Sequence, residues 1–89
     1  MAEEKLKLIR LMTHKNVLEM LRALGSGPLR FTDLAPACQS ERLRSLRLAD
    51  LSKAGLIQKK AIGSGNDLRI VYQITEKGKK LADEIGRLL

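Results

Sequence analysis

The spacing of apolar residues changes twice along this chain, and that double change restricts its folds more than any other feature. Val17, Leu18, Leu21 and Leu24 recur every three or four positions, the spacing that lines one helix face, until Gly25-Ser26-Gly27-Pro28 stops the run. Thr13 stands where an N-cap for that helix belongs. Thr32-Asp33-Leu34-Ala35 reads as a short second helix anchored by Phe31 and Leu34, with Pro36 at its boundary. Ser40 then caps a third, which carries Leu43, Leu46, Leu48 and Leu51 and ends at Ala54-Gly55. After Gly55 the period falls to two: Leu56 to Ile62 is strand-like, Gly63-Ser64-Gly65-Asn66-Asp67 is a turn, and Leu68, Ile70, Tyr72 and Ile74 alternate. Thr75-Glu76-Lys77-Gly78 restores the helical spacing, with a stripe of Leu81, Ala82, Ile85 and Leu88 or Leu89. Upstream, Leu6, Leu8, Ile9, Leu11 and Met12 alternate with Lys5, Lys7 and Arg10 as a short amphipathic segment.

The expected order is therefore mainly α with a small β-hairpin, a winged helix-turn-helix (α-α-α-β-β-α) preceded by an extra N-terminal helix. A chain of 89 residues has core enough for one domain. Residues 1–12 are read as a helical extension, 13–82 as the winged-helix domain, and 83–89 as the end of the last helix and a dimer contact. With one Phe, one Tyr and no Trp, the core is aliphatic.

Seventeen Lys and Arg against ten Asp and Glu leave a net charge of +7, which favours a polyanionic partner. Solubility alone is the other use of such a surface. A major groove about 12 Å wide admits one helix, and a basic hairpin beside it can follow phosphates or reach the minor groove. The recognition helix on this reading is 40–54 and the wing 59–69. Candidate DNA contacts are Arg30 and Thr32, then Ser40, Arg42, Arg44, Ser45 and Arg47 on the helix, and Lys59, Lys60, Ser64, Asn66 and Arg69 on the wing. Arginine pairs bidentately with a guanine edge as readily as with phosphate. At about 100° per residue, Leu43, Arg47, Leu51 and Ala54 share one face and Arg42, Ser45, Ala49 and Ser52 the opposite one. Arg42 and Ser45 thus face a groove, whereas Arg44 and Arg47 border the core stripe, in reach of phosphate or of Asp50 and Glu41. Lys59 and Lys60 have a second use, discouraging edge-to-edge strand pairing.

The run Gly27-Pro28-Leu29-Arg30-Phe31-Thr32-Asp33-Leu34, the Leu48-x-x-Leu51-x-x-x-Gly55-Leu56-Ile57 helix ending, and Tyr72-Gln73-Ile74-Thr75-Glu76-Lys77-Gly78-x-x-Leu81 together resemble prokaryotic winged-helix regulators of the HxlR, MarR and ArsR kind. The likeness covers roughly residues 14 to 82. It implies a dimeric transcription factor that holds DNA with its third helix and wing and dimerises through terminal helices. The cysteine characteristic of the HxlR pattern near the N-terminus has no counterpart here, so redox or aldehyde sensing of that type is not implied.

Other functions have less to stand on. His14 is the sole histidine and no motif supplies it with a partner; Gly63-Ser64-Gly65 is a hairpin tip rather than a nucleotide cradle. No enzyme and no cofactor are expected. Cys38, alone, forms neither an internal disulfide nor a zinc cluster and reads as a small buried apolar residue; a sensing thiol is its other reading. Single-strand RNA binding stacks bases on aromatics, and Phe31 and Tyr72 both fall where the fold wants core. The competing class is a winged-helix module that docks on protein while the basic helix faces solvent. Double-stranded DNA and a homodimer built on Leu6, Ile9, Met12, Leu81, Ile85 and Leu88 are the expected partners; packing of the two terminal helices on each other within one subunit is the other use of those apolar faces. The charged start, Met1-Ala2-Glu3-Glu4-Lys5, lacks the apolar run of a signal peptide or membrane span, which sets the expectation of a cytoplasmic protein.

Overall fold

A computed structural model describes residues 2–88 of the chain. Leu89, the alternative end of the last apolar stripe, and Met1, the first residue of the extension, lie outside the described residues. The elements are α1 (Ala2–Met12), α2 (Val17–Leu24), a 3-10 turn (Thr32–Leu34), α3 (Glu41–Lys53), β1 (Ile57–Ile62), β2 (Arg69–Ile74) and α4 (Glu76–Leu88). This is a winged helix-turn-helix, with the short helix expected at Thr32 reduced to one 3-10 turn.

The core is built around α2, whose Val17, Met20, Leu21 and Leu24 are fully buried. Onto them pack Leu11, Leu34, Cys38, Leu48, Leu51, Leu56, Ile57 and Ile74, with Leu81 and Ala82 of α4 half-buried against the cluster, so every other element contributes at least one side chain. Thr13 does not cap α2. Its hydroxyl donates to the Arg10 carbonyl at 2.6 Å and finishes α1 instead. Asn16 precedes α2 in the left-handed region (φ 70°), a conformation asparagine tolerates better than most residues, and its side-chain amide donates to the Ala37 carbonyl at 3.0 Å. The chain reversal between α1 and α2 is thereby tied to the loop that leads into α3.

The C-terminus of α3 is closed by a paired arrangement at Gly55 (φ 76°): the Leu56 N–H donates to the Leu51 carbonyl and the Gly55 N–H to Ser52, each at 3.0 Å. Against this turn lies the start of α4. The Thr75 hydroxyl accepts from the Gly78 N–H at 3.1 Å, capping α4, and donates to the Gly55 carbonyl at 2.7 Å. The Thr75 N–H reaches the Leu56 carbonyl at 2.9 Å, and Lys77 Nζ reaches the Ala54 carbonyl at 3.0 Å. Carbonyls that a helix end leaves without partners are thus satisfied by the next helix's first turn.

The hairpin pairs Ile57 with Ile74 and runs in register to Ile62 with Arg69. Leu29 adds a third edge as an isolated bridge, exchanging N–H and C=O bonds with Tyr72 at 3.0 and 2.7 Å. The alternation of Leu68, Ile70, Tyr72 and Ile74 does not mark one buried stripe. Ile70, Tyr72 and Ile74 share a face, but only Tyr72 and Ile74 reach the core, while Val71, out of phase, is buried. Leu68 and Ile70 are 57% and 47% exposed, because the hairpin projects beyond the body it springs from.

Gly78 is buried where α4 crosses the α3–β1 turn, and a Cβ there would overlap the Leu56 carbonyl and come within 2.8 Å of Ile74 Cγ1. Gly78→Ala is therefore expected to cost roughly 2–3 kcal/mol, the scale of an overpacked core site. Urea unfolding checks this; an unchanged midpoint would show that the two turns separate without penalty.

Candidate nucleic-acid interface

Helix α3 begins cleanly because Ser40, in extended backbone, accepts the Leu43 N–H on its hydroxyl at 3.1 Å. Its inward stripe is Arg44, Leu48 and Leu51, one residue away from the Leu43, Arg47, Leu51 and Ala54 face expected from the sequence. Leu43, Arg47 and Ala54 are half-buried at the flank. The outward face accordingly centres on Arg42, Leu46, Ala49 and Lys53, all exposed, with Ser45 and Ser52 on the side toward the hairpin.

Arg44 does not belong to the exposed set. It is 3% exposed, its Nε donates to the Cys38 carbonyl at 2.8 Å, and its two terminal nitrogens donate to the Phe31 and Gln39 carbonyls at 3.2 and 3.1 Å. The guanidinium also lies 4.6 Å from the centroid of the Phe31 ring. A planar five-donor fork suits this work: it replaces backbone pairing that the irregular 31–39 segment lacks and fastens that segment to α3. Assigning Arg44 to DNA is corrected on that ground, since every one of its nitrogens is already committed inside the domain.

Arg47 is half-committed. Its Nε donates to the Lys15 carbonyl at 2.9 Å, and a terminal nitrogen stands 3.7 Å from Asp50 Oδ2, one helical turn along. It joins α3 to the α1–α2 turn, in keeping with the pairing to Asp50 anticipated from spacing. Cys38 is 1% exposed, its thiol directed to the Ser40 carbonyl at 3.8 Å.

The remaining candidates are on the surface. Arg30 and Thr32 are exposed at the 3-10 turn, where the Arg30 N–H is capped by Asp33 Oδ2 at 3.0 Å, and Ser40 is exposed at the start of α3. From Gln58 to Ile70 every side chain of the hairpin is exposed, which includes Lys59, Lys60, Ser64, Asn66 and Arg69. Register separates the basic ones. Lys59 pairs with Tyr72 and shares its face, the ammonium 5.9 Å from the ring centroid, whereas Lys60 pairs with Val71 and Arg69 with Ile62 on the reverse face. Lys59 and Tyr72 close one wall of a cleft of about 280 Å³ whose other wall is Ser45, Leu48, Ala49 and Ser52 of α3. Helix and wing thus form one continuous surface.

At the opposite end, α1, α2 and α4 border an apolar groove of about 520 Å³, lined by Leu8, Ile9, Met12, Leu18, Leu81, Ile85 and Leu88. Of the six residues expected at a dimer contact, Leu6, Ile9 and Leu88 are exposed and Met12, Leu81 and Ile85 half-buried; Leu6 lies outside the groove lining. Among the described residues no helix is long and apolar enough to cross a membrane.

Residues 11–89 match the HxlR-like helix-turn-helix family. Diamide-treated YodB from B. subtilis superimposes with a TM-score of 0.79 at 20% identity, over 89% of this chain and 79% of that one. The structure of ytfH from Salmonella typhimurium, described as a transcriptional regulator, superimposes with a TM-score of 0.77 at 22% identity, over 94% of this chain and 76% of that one. No curated protein matches the chain.

Arg44→Ala leaves carbonyls of Phe31, Cys38 and Gln39 without their donor, and a loss of about 3 kcal/mol is expected from that desolvation. Arg44→Lys recovers less than half, because a single ammonium cannot span three divergent acceptors. Thermal unfolding of both variants tests this; a stable Arg44→Ala protein with weakened DNA binding would return the residue to the surface.

Proposed function

The chain belongs to the HxlR-like helix-turn-helix family of DNA-binding transcription regulators, and on that footing we propose that α3 enters the major groove while the hairpin lies along the backbone or the adjacent minor groove. The observation that carries this reading is the unbroken exposed surface formed by the outward face of α3 and, across the 280 Å³ cleft, Lys59 of the wing. Its dimensions follow from one helix plus one two-stranded ribbon, the combination that a major groove and its flanking phosphates accept. Arg42 is the base-reading arginine, Ser45 an adaptable neighbour, and Lys53, Lys59, Lys60 and Arg69 supply phosphate contacts.

A second copy of the chain fills the apolar groove between α1 and α4. Ile9 and Leu88 line that groove yet remain exposed in a single subunit, and a two-fold arrangement through them presents two α3 helices to successive major grooves, about one helical turn apart.

With four phosphate contacts from each of two subunits, affinity for mixed duplex DNA is expected to fall on the order of ten-thousandfold between roughly 50 and 200 mM salt. Arg42→Ala is expected to relax preference at one base pair, at a scale of about 1–3 kcal/mol, and Lys59→Ala to weaken all duplexes alike while lowering the salt slope by about one. Binding that is absent or insensitive to salt would instead favour a protein-docking module. For the assembly, sedimentation at micromolar concentration is expected to give twice the 9.9 kDa chain mass, and Ile9→Glu to give a folded monomer; a wild-type monomer overturns the dimer.

A further inference from the structure

The centre of the outward face of α3 is not a charged residue but Leu46. Taking Arg44, Leu48 and Leu51 as the inward stripe, the opposite direction of the helix falls on position 46, with Arg42 one turn before it and Ala49 and Lys53 in the turns after. Leu46 is 51% exposed and contributes nothing to the core cluster. A single exposed leucine on a protein surface carries no message by itself. Here, however, it stands between two cations on the face that the reading above turns toward DNA, and the hairpin fixes that face's orientation. A leucine can accept no hydrogen bond from a base and donate none, so any base it reads must offer an apolar group. In the major groove the one such group is the C5-methyl of thymine.

We infer that Leu46 is a specificity-determining residue that selects a thymine by contact with its C5-methyl group, beside the base pair contacted by Arg42. This rests on the placement of α3 in the major groove. The geometry is consistent with the spacing: residues 42 and 46 are one turn apart on the same face, so two neighbouring positions of one half-site are covered by a guanidinium and an isobutyl group. Ala49, on the same stripe and small, leaves room for the base edge to approach the helix at that level.

Uracil in place of thymine removes that methyl and nothing else from the groove edge, which makes the contact separable from hydrogen-bonded readout. Duplexes would first be selected from a random pool with the full-length wild-type protein. Each thymine of the selected site would then be replaced by uracil, one at a time, and titrated with wild type and with Leu46→Ala. Because Leu46 is exposed and alanine is the better helix former, the variant should unfold at the wild-type temperature. The expected result is one thymine per half-site whose replacement weakens wild type by about fourfold, the scale of one buried methyl group. Leu46→Ala should bind the thymine duplex at least that much more weakly and be indifferent to the replacement. A selected site without a fixed thymine, wild-type binding blind to every replacement, or equal sensitivity in wild type and Leu46→Ala each overturns the inference while leaving DNA binding intact. Failure to select any duplex overturns the DNA-binding reading and this inference with it.

Discussion

The close crossing of two backbone turns, Gly55-Leu56 beneath Thr75 to Gly78, is the constraint on which the rest of the molecule depends. Polar groups at the end of α3 and the start of α4 are both left over by their own helices, and each set supplies the other's partners. Only a residue without a side chain at position 78 lets the two backbones approach closely enough for this. Both feet of the hairpin, Ile57 and Ile74, emerge from that junction and pair with each other, so the junction sets the angle at which the ribbon leaves the body.

Positive charge serves two purposes in this chain, and burial tells them apart. Arg44 spends its charge on carbonyls of the 31–39 segment, an irregular stretch that contains a single 3-10 turn in place of a full helix. Arg47 is divided between the Lys15 carbonyl and Asp50. The cations left on the surface of α3 and the hairpin are fewer than the composition implies, and they are arranged by side: Arg42 and Lys53 on the helix, Lys59 toward the helix, and Lys60 and Arg69 behind. Net charge therefore points to a class of partner, while the division between buried and exposed arginines determines which contacts remain available.

Much of the architecture was legible because it is written in punctuation. Gly55 ends α3, Thr75 and Gly78 begin α4, and the glycines between Ile62 and Leu68 turn the hairpin; each residue type answers a local backbone need that holds in any context. What was illegible depended on which of two adjacent faces of α3 turned inward. Leucines at 43, 46, 48 and 51 support either choice, and the structure selects a stripe containing Arg44, because a guanidinium with three carbonyl acceptors can be buried where an unpartnered one cannot. Leu46, expected among the apolar residues of a packed helix, is thereby turned outward. The signal for the shift is that no helical stripe through Leu48 and Leu51 avoids both Arg44 and Arg47. Thr13 misled for a related reason: a cap residue before a helix looks the same as a hydroxyl closing the helix behind it. The Leu29–Tyr72 bridge is a single pair of residues distant in sequence, too short to leave a periodic trace.

The hairpin from Gln58 to Ile70 presents every side chain to solvent, as does the outward stripe of α3. The residues that hold the domain together and those that face outward are thus almost disjoint sets. A lineage carrying this fold can replace the residues of that exposed surface one position at a time without first acquiring stability elsewhere, so change at the surface meets little resistance from the scaffold. Arg47 and Tyr72, each belonging partly to both sets, are where that freedom ends.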